Sequence, residues 1–234
     1  FNMSKGKLEK FAMVSNYANC IEPTMDEARL GAIPLKGKWH KDFFKNDNPL
    51  TVELACGGGE YTVGMAEMYP ERNFIGIDIK GNRIWKGATK AIEKNLTNVG
   101  FLRTRIDFII NCFAEDEVDE LWITFPDPQP NKNRRRKRLT NKLFLGRYKQ
   151  VLKPGGKLRL KTDSDFFYEF TREVIKEEGL ELSFECDDIY VKYTPENSET
   201  KLGKELALKT FYEKMWLEEG KTIKYIEYFL DKLS

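Results

Sequence analysis

From Pro49 onward, short apolar runs alternate with stretches of helical periodicity. Residues 50–55, 74–79, 101–105, 121–125, 158–162, 180–186 and 222–230 read as strands. Residues 60–69, 82–95, 140–152, 163–178 and about 201–219 read as helices. Pro126 and Pro128 stop the fourth run, since neither can donate to a ladder. Thr140 is the expected N-cap of its helix, and Pro154-Gly155-Gly156 the expected stop. Strands alternating with helices predict βαβ units, a mainly parallel sheet and an α/β fold. In such sheets ligands bind beyond the carboxyl ends of the strands. Attention therefore falls on Gly57 to Gly59, Asp78, residues 105–107, Asp127 and Asp163. Residues 1–35 and 187–200 carry no assignable pattern.

A chain of 234 residues fits one domain, here 36–234, preceded by a basic extension, 1–35. Phe1 and Asn2 precede Met3 and are expected to lie outside the fold. No apolar stretch is long enough to cross a bilayer, and residues 1–10 lack the apolar core of a secretory signal, so no membrane partner is expected. Cys20, Cys56, Cys112 and Cys186 form no Cys-x-x-Cys pair, which predicts no metal site and fits a reducing cytoplasm. His40 is the only histidine. Chemistry must then run on carboxylates, cations, backbone groups or a cofactor. The net charge of +2 says little, but residues 132–138 hold six cations in seven positions. Such a cluster attracts phosphates even on a nearly neutral chain.

The glycine loop Gly57-Gly58-Gly59 joins a strand to a helix, where glycines allow a tight turn and close approach to a ligand. The dinucleotide fingerprint would require a third glycine where Thr62 stands, which argues against a nicotinamide cofactor. Glu53, within the strand, either bonds the loop amides or receives the ammonium of an amino-acid cofactor. Asp78, at the next strand end, either caps a helix or accepts both hydroxyls of a ribose. Taken together with the loop between them, the two acids favour S-adenosylmethionine.

In Phe125-Pro126-Asp127-Pro128, prolines flank Asp127 and stiffen its backbone. A stiff loop suits a carboxylate held over a cofactor, although a proline-rich turn with a solvated aspartate has the same sequence. The adjoining cations Lys132, Arg134, Arg135, Arg136, Lys137 and Arg138 are expected to contact phosphate, supplying affinity and register without base specificity. Phe211, Tyr212 and Trp216, at helical spacing, are expected in the core rather than stacked on a substrate, and Trp39 and Trp85 likewise.

Several segments, in order, resemble the bacterial tRNA (guanine-N7-)-methyltransferase family: Gly37-Lys38-Trp39, Asn46-Asp47-Asn48-Pro49, the Glu53 glycine loop, Phe125-Pro126-Asp127-Pro128, Lys137-Arg138-Leu139-Thr140, Lys161-Thr162-Asp163 and Thr210-Phe211-Tyr212-Glu213. The resemblance runs from about residue 36 to 228. It implies a class I methyltransferase sheet of seven mostly parallel strands with helices on both faces and an antiparallel last pair. It also implies methyl transfer from S-adenosylmethionine to N7 of guanine at position 46 of tRNA. By the same resemblance, Glu53, Gly57, Gly59, Asp78, Asp107 and Asp127 bind the cofactor, and Asp127 is also the central catalytic carboxylate. Asn131, Lys132, Asp163, Thr210, Phe211, Tyr212 and Glu213 fall on substrate-binding positions. The chain departs from the family pattern at Gln129, where Trp is common, at Asn131, where Lys is common, and at Arg105, where an acid is expected.

Overall fold

The computed structural model describes residues 9, 12–193 and 199–234. In chain order its main elements are β1 (Cys20–Ile21), α1 (Met25–Leu30), β2 (Leu50–Leu54), α2 (Glu60–Met68), β3 (Asn73–Asp78), α3 (Gly81–Glu93), β4 (Val99–Arg103) and β5 (Val118–Thr124). Then follow α4 (Lys142–Val151), β6 (Leu152–Thr162), α5 (Asp165–Glu177), β7 (Glu181–Cys186), α6 (Lys201–Ala207), α7 (Phe211–Glu218) and β8 (Lys224–Phe229). The strands form one sheet in the order β1-β4-β3-β2-β5-β6-β8-β7. All neighbours are parallel except β8, which runs antiparallel to both β6 and β7.

Side chains alternate between the two faces of a strand, and two apolar layers result. One holds Val52, Ile75, Leu121 and Ile226 with Trp39, Phe113 and Tyr148. The other holds Phe74, Trp122 and Tyr225 with Tyr61, Ala88 and Phe101. The second face also buries charge: Arg159 pairs with Glu120, Glu205 and Glu227, all nearly inaccessible. These pairs fasten α6 to the sheet.

Three expectations change, besides the single helix expected over about 201–219, which is broken at 208–210 into α6 and α7. The sheet has eight strands, because Cys20–Ile21 adds to β4 at its edge. This strand lies in the N-terminal segment, whose described part shares the core through Val14, Ala28 and Ile33. Phe1, Asn2, Lys5 and Lys7, and Lys10, fall outside the described residues. Second, α4 ends at Val151, but β6 begins at Leu152 rather than at 158, so that Pro154-Gly155-Gly156 is a bulge inside the strand. Leu152 pairs with Val118 and Lys157 with Glu120, while pairing to β8 begins only at Lys157. The missing N–H of Pro154 thus faces no ladder partner. Third, Asn141 caps α4, accepting from the Phe144 amide at 3.2 Å. Thr140 is instead buried and bonded to Thr171 at 2.8 Å.

Candidate active site

The turn from β2 into α2 passes through three left-handed residues, Ala55 at φ 59°, Gly57 at φ 56° and Gly59 at φ 67°, of which two are glycines. The two glycines do different work. A side chain on Gly57 would meet nothing within 4 Å, so its face is open. A Cβ on Gly59 would lie 2.5 Å from Phe101, so glycine there serves packing. Gly58 packs against α3, where a Cβ on Gly87 would come within 2.7 Å of its carbonyl oxygen. Gly57 and Gly58, with Thr124, Phe125, Glu60 and Trp85, line a cavity of about 350 Å³ at the strand tips. Gly59 does not reach it.

The two acids beside the loop are engaged by the protein. Glu53 is buried, and its carboxylate accepts from the Thr62 amide at 2.9 Å and from the hydroxyls of Thr62 and Thr124. These contacts tie β2 to the first turn of α2 and to the end of β5, not to the amides of the glycine loop. Burial pushes the Glu53 carboxyl up to about 7, against the opposing pull of its Thr124 and Thr62 hydrogen bonds. Asp78 accepts from the Gly57 amide at 3.0 Å and the Lys80 amide at 2.8 Å, tying the β3 tip to the loop. Asp107 lies elsewhere, paired with Arg105 at 3.1 Å and Arg147 at 3.3 Å, and lines neither cavity of the site.

A second, wider cleft of about 990 Å³ adjoins the first. Asp127, Asp163 and Asp165 line it, with Phe166, Lys221 and Lys224. Asp127 is exposed and accepts only from the Gln129 amide, at 3.1 Å, among the described residues. Asp163 has a loose contact with Lys221 at 3.5 Å. Asp165, at the first turn of α5, pairs with Lys224. Arg83, Phe125, Tyr212 and Trp216 line both cavities, so the two spaces meet at those four side chains.

Helix α7 supplies part of that wall. Thr210 and Glu213 close a capping box at its start: each backbone amide is accepted by the other's side chain. Glu213 points inward. It is fully buried, 2.7 Å from the equally buried Lys161, and accepts from the Tyr190 hydroxyl at 2.6 Å. Burial holds the Lys161 ammonium below its usual range, with Glu213 pulling the other way. The expected substrate contact of Glu213 is therefore corrected: it anchors the wall from behind. Phe211 and Tyr212 are also corrected, being 58% and 60% exposed rather than in the core. The Tyr212 ring stacks on Trp216 at 5.9 Å. Trp39 is buried, as expected, whereas Trp85 is half-buried on the cavity wall.

The cation run forms a 3₁₀ turn over Lys132–Lys137. Asn131, Lys132 and Arg134 to Lys137 are exposed at its surface, outside the cleft lining. Arg138 is not. Only 6% exposed, it gives its guanidinium to the carbonyls of Gln129 and Pro130. Its expected phosphate contact is corrected, because its donors are directed into the protein.

A family model described as "Putative methyltransferase" matches residues 47–226. A Bacteroides fragilis protein named tRNA (guanine-N(7)-)-methyltransferase is 46% identical across 97% of this chain and 87% of its own length. Proteins of the same name from Christiangramia forsetii and Porphyromonas gingivalis are 47% and 50% identical, over 96% and 84% of this chain and 98% and 78% of their own lengths. The chain belongs to the tRNA (guanine-N(7)-)-methyltransferase family. Solved structures agree on the fold. An antibiotic-related methyltransferase superposes with a TM-score of 0.59 at 17% identity, covering 84% of this chain and 94% of that one. The 16S rRNA methyltransferase KamB superposes at 0.57 and 14% identity, covering 77% and 87%.

For this member of the family, the structure adds lining residues to which the sequence reading gave no site role, and brings in Gly58 of the glycine loop and Trp85 and Trp216, which were expected in the core. Gly58, Glu60, Arg83, Trp85, Asp165, Phe166, Trp216, Lys221 and Lys224 all line one or both cavities. Asp165 alone carried a usable signal, an acid two residues after Asp163 at the start of a helix. The others come from helix faces, from β8 and from the loops beside them, and their convergence depends on strand order. Among the described residues no cluster of His, Cys, Asp and Glu could hold a metal ion, and no helix is long and apolar enough to cross a membrane. His40 lines neither cavity.

Proposed function

We propose that this protein transfers a methyl group from S-adenosylmethionine to N7 of a guanine in tRNA, at position 46 of the variable loop. The observation that carries the reading is the junction of two cavities at Arg83, Phe125, Tyr212 and Trp216: one cavity sits on a glycine loop, the other is lined by carboxylates. A donor in the first and a base in the second would face each other. The names and identity of the relatives support the same substrate. A tRNA substrate puts the protein in the cytoplasm.

The residues present fit the cofactor. The open face of Gly57 lets a ligand approach the backbone, and the adjoining space is within the usual size of small-molecule pockets, about 300–1,000 Å³. Gly57 and Gly58 would hold the amino-acid part. Asp78 retains lone pairs beyond its two amide bonds and would take the ribose hydroxyls. Glu53, behind the cavity, would fix Thr62 at the start of α2 and Thr124 on the cavity wall. When bound, the cofactor supplies an electrophilic methyl on a sulfonium.

Guanine N7 carries a lone pair in the intact base, so the reaction requires no general base. That agrees with a site that contains no histidine. The protein's task is placement, with the reacting atoms held about 3–3.5 Å apart. Asp127 and Asp163 can accept from guanine N1–H and its 2-amino group. Those bonds strengthen as the ring becomes cationic and thus favour the transition state. Adenine lacks that pair of donors, so the carboxylates also select the base. Tyr212 offers an exposed ring face to a splayed base. Arg134 to Lys137, with Lys132, face solvent beside the cleft loop and would take phosphates.

Mass spectrometry of nucleosides from tRNA incubated with the protein and methyl-labelled cofactor tests this. Label should appear in 7-methylguanosine. Label in another nucleoside, or in none, would replace the reading.

A further inference from the structure

The segment that presents Asp127 is unusual in its backbone. Prolines at 126, 128 and 130 remove three N–H donors. The residues before two of them, Phe125 at φ 49° and Gln129 at φ 47°, are left-handed, a conformation that non-glycine residues adopt at a cost. Such a loop persists only if its surroundings over-determine it. On one side the Phe125 amide donates to the Lys161 carbonyl at 2.8 Å. On the other, the Arg138 Nε donates to the Gln129 carbonyl at 3.0 Å and its guanidinium Nη2 to the Pro130 carbonyl at 3.2 Å. The Arg138 guanidinium is itself fixed between two rings, 4.6 Å from the centroid of Phe166 and 4.5 Å from that of Phe170. Its own backbone carbonyl takes the Asn141 side-chain amide at 2.7 Å, which ties it to the start of α4. A planar fork with directed donors suits two adjacent carbonyls; an ammonium does not.

We propose that Arg138 is a positioning residue for the methyl-transfer reaction: it clamps the Gln129–Pro130 carbonyls and so sets the place of the Asp127 carboxylate. The chain of contact is short. Arg138 holds the Gln129 carbonyl, and the Gln129 amide is the group that holds Asp127 Oδ1, at 3.1 Å. The run of cations thus divides in two. Lys132 and Arg134 to Lys137 are exposed, with Arg134 reaching the Gln129 side chain at 3.4 Å and Arg135 pairing with Glu177 at 3.5 Å, while Arg138 holds the loop backbone. The inference rests on the role proposed for Asp127.

The test is Arg138→Lys, which keeps the charge and loses the fork. Its kcat should fall about 10²-fold, the scale set by misplacing a group by about 1 Å, with KM for tRNA nearly unchanged. The salt dependence of tRNA affinity should also be unchanged. A phosphate contact would behave oppositely: lysine would substitute well in kcat, and Arg138→Ala would lower the salt slope by about one. Either of those results overturns the proposal. Calorimetric titration of the cofactor confirms that the variant is folded. If Arg138→Lys fails to fold, Phe170→Leu removes one buried ring from the clamp while leaving both cavities intact, and unchanged kcat there overturns the proposal as well. Asp127→Ala, measured in parallel, separates the two readings. Full activity in that variant removes the role of Asp127. Lost activity there with an intact Arg138→Lys removes only the clamp.

Discussion

Carboxylates on the glycine-loop side are held by the protein's own donors, whereas Asp127 and Asp163 in the cleft are left largely open. Glu53 is closed in by Thr62 and Thr124, and Asp78 is fixed by two backbone amides, one on each oxygen. Glu60 accepts from Lys86 at 2.7 Å and from the Phe211 amide at 2.6 Å. Across the junction, Asp127 has one amide partner and Asp163 one loose cation. The first set builds a rigid frame, with acids fastening strand tips to a loop and a helix. The second offers acceptors whose bonds are still to be made. A preorganised frame and open acceptors together are what placement-driven catalysis requires. The same division runs through α7, where buried Glu213 anchors and exposed Tyr212 faces outward.

Disrupting the anchor should have the largest effect. Glu213→Gln leaves the Lys161 ammonium buried without its counter-charge, and should lower unfolding stability by about 3–5 kcal/mol in denaturant titration. A loss below about 1 kcal/mol would mean that the pair carries little of the docking of α7. Next comes an open acceptor. Asp127→Ala should cut kcat about 10²–10³-fold while leaving cofactor affinity and stability near those of the parent, measured by single-turnover kinetics and calorimetry. A matching loss of cofactor affinity would move Asp127 from the open set to the frame.

The frame acid Glu53 predicts a pH effect of comparable or smaller size. Its folded-state value near 7 lies above the ordinary 4.5, so the folded protein holds this proton more tightly than the unfolded chain does. Stability attributable to this group is then fully present below about pH 4.5, declines as pH rises, and levels off above about 7, a span of about 3 kcal/mol. Glu53→Gln should flatten that part of the stability–pH curve in thermal melts; an unaltered slope would show that the carboxyl is not held protonated. The smallest effect is expected at Tyr212. Because its ring is exposed, Tyr212→Ala should leave the melting temperature unchanged and weaken tRNA binding by about 1–3 kcal/mol if it stacks on a base. Unchanged affinity would assign the ring to the protein surface alone.

The strands β2 to β6 and β8 and helices α2 to α5 were legible because each buries a compact apolar run or a periodic face, which is a local property. Ends were less so. The bulge at Pro154-Gly155-Gly156 reads as a stop until the register with β5 is known, and Asn141 and Thr140 are equally good caps on paper. The two-residue strand β1 has no pattern of its own; only the free edge of β4 makes it a strand.

Taken alone, the sequence determined the α/β class, the glycine turn, the proline-stiffened Asp127 and the family, since each depends on residue types at short spacing. The tertiary structure alone decided which of those residues face a cavity. Arg136 and Arg138 are chemically identical and two residues apart, yet one meets water and the other lies between Phe166 and Phe170. Glu213 and Tyr212 are adjacent, and only the position of Lys161 on a neighbouring strand turns one of them inward. Burial and partnership are set by elements distant in the chain, and those are brought together by strand order, which no local pattern encodes.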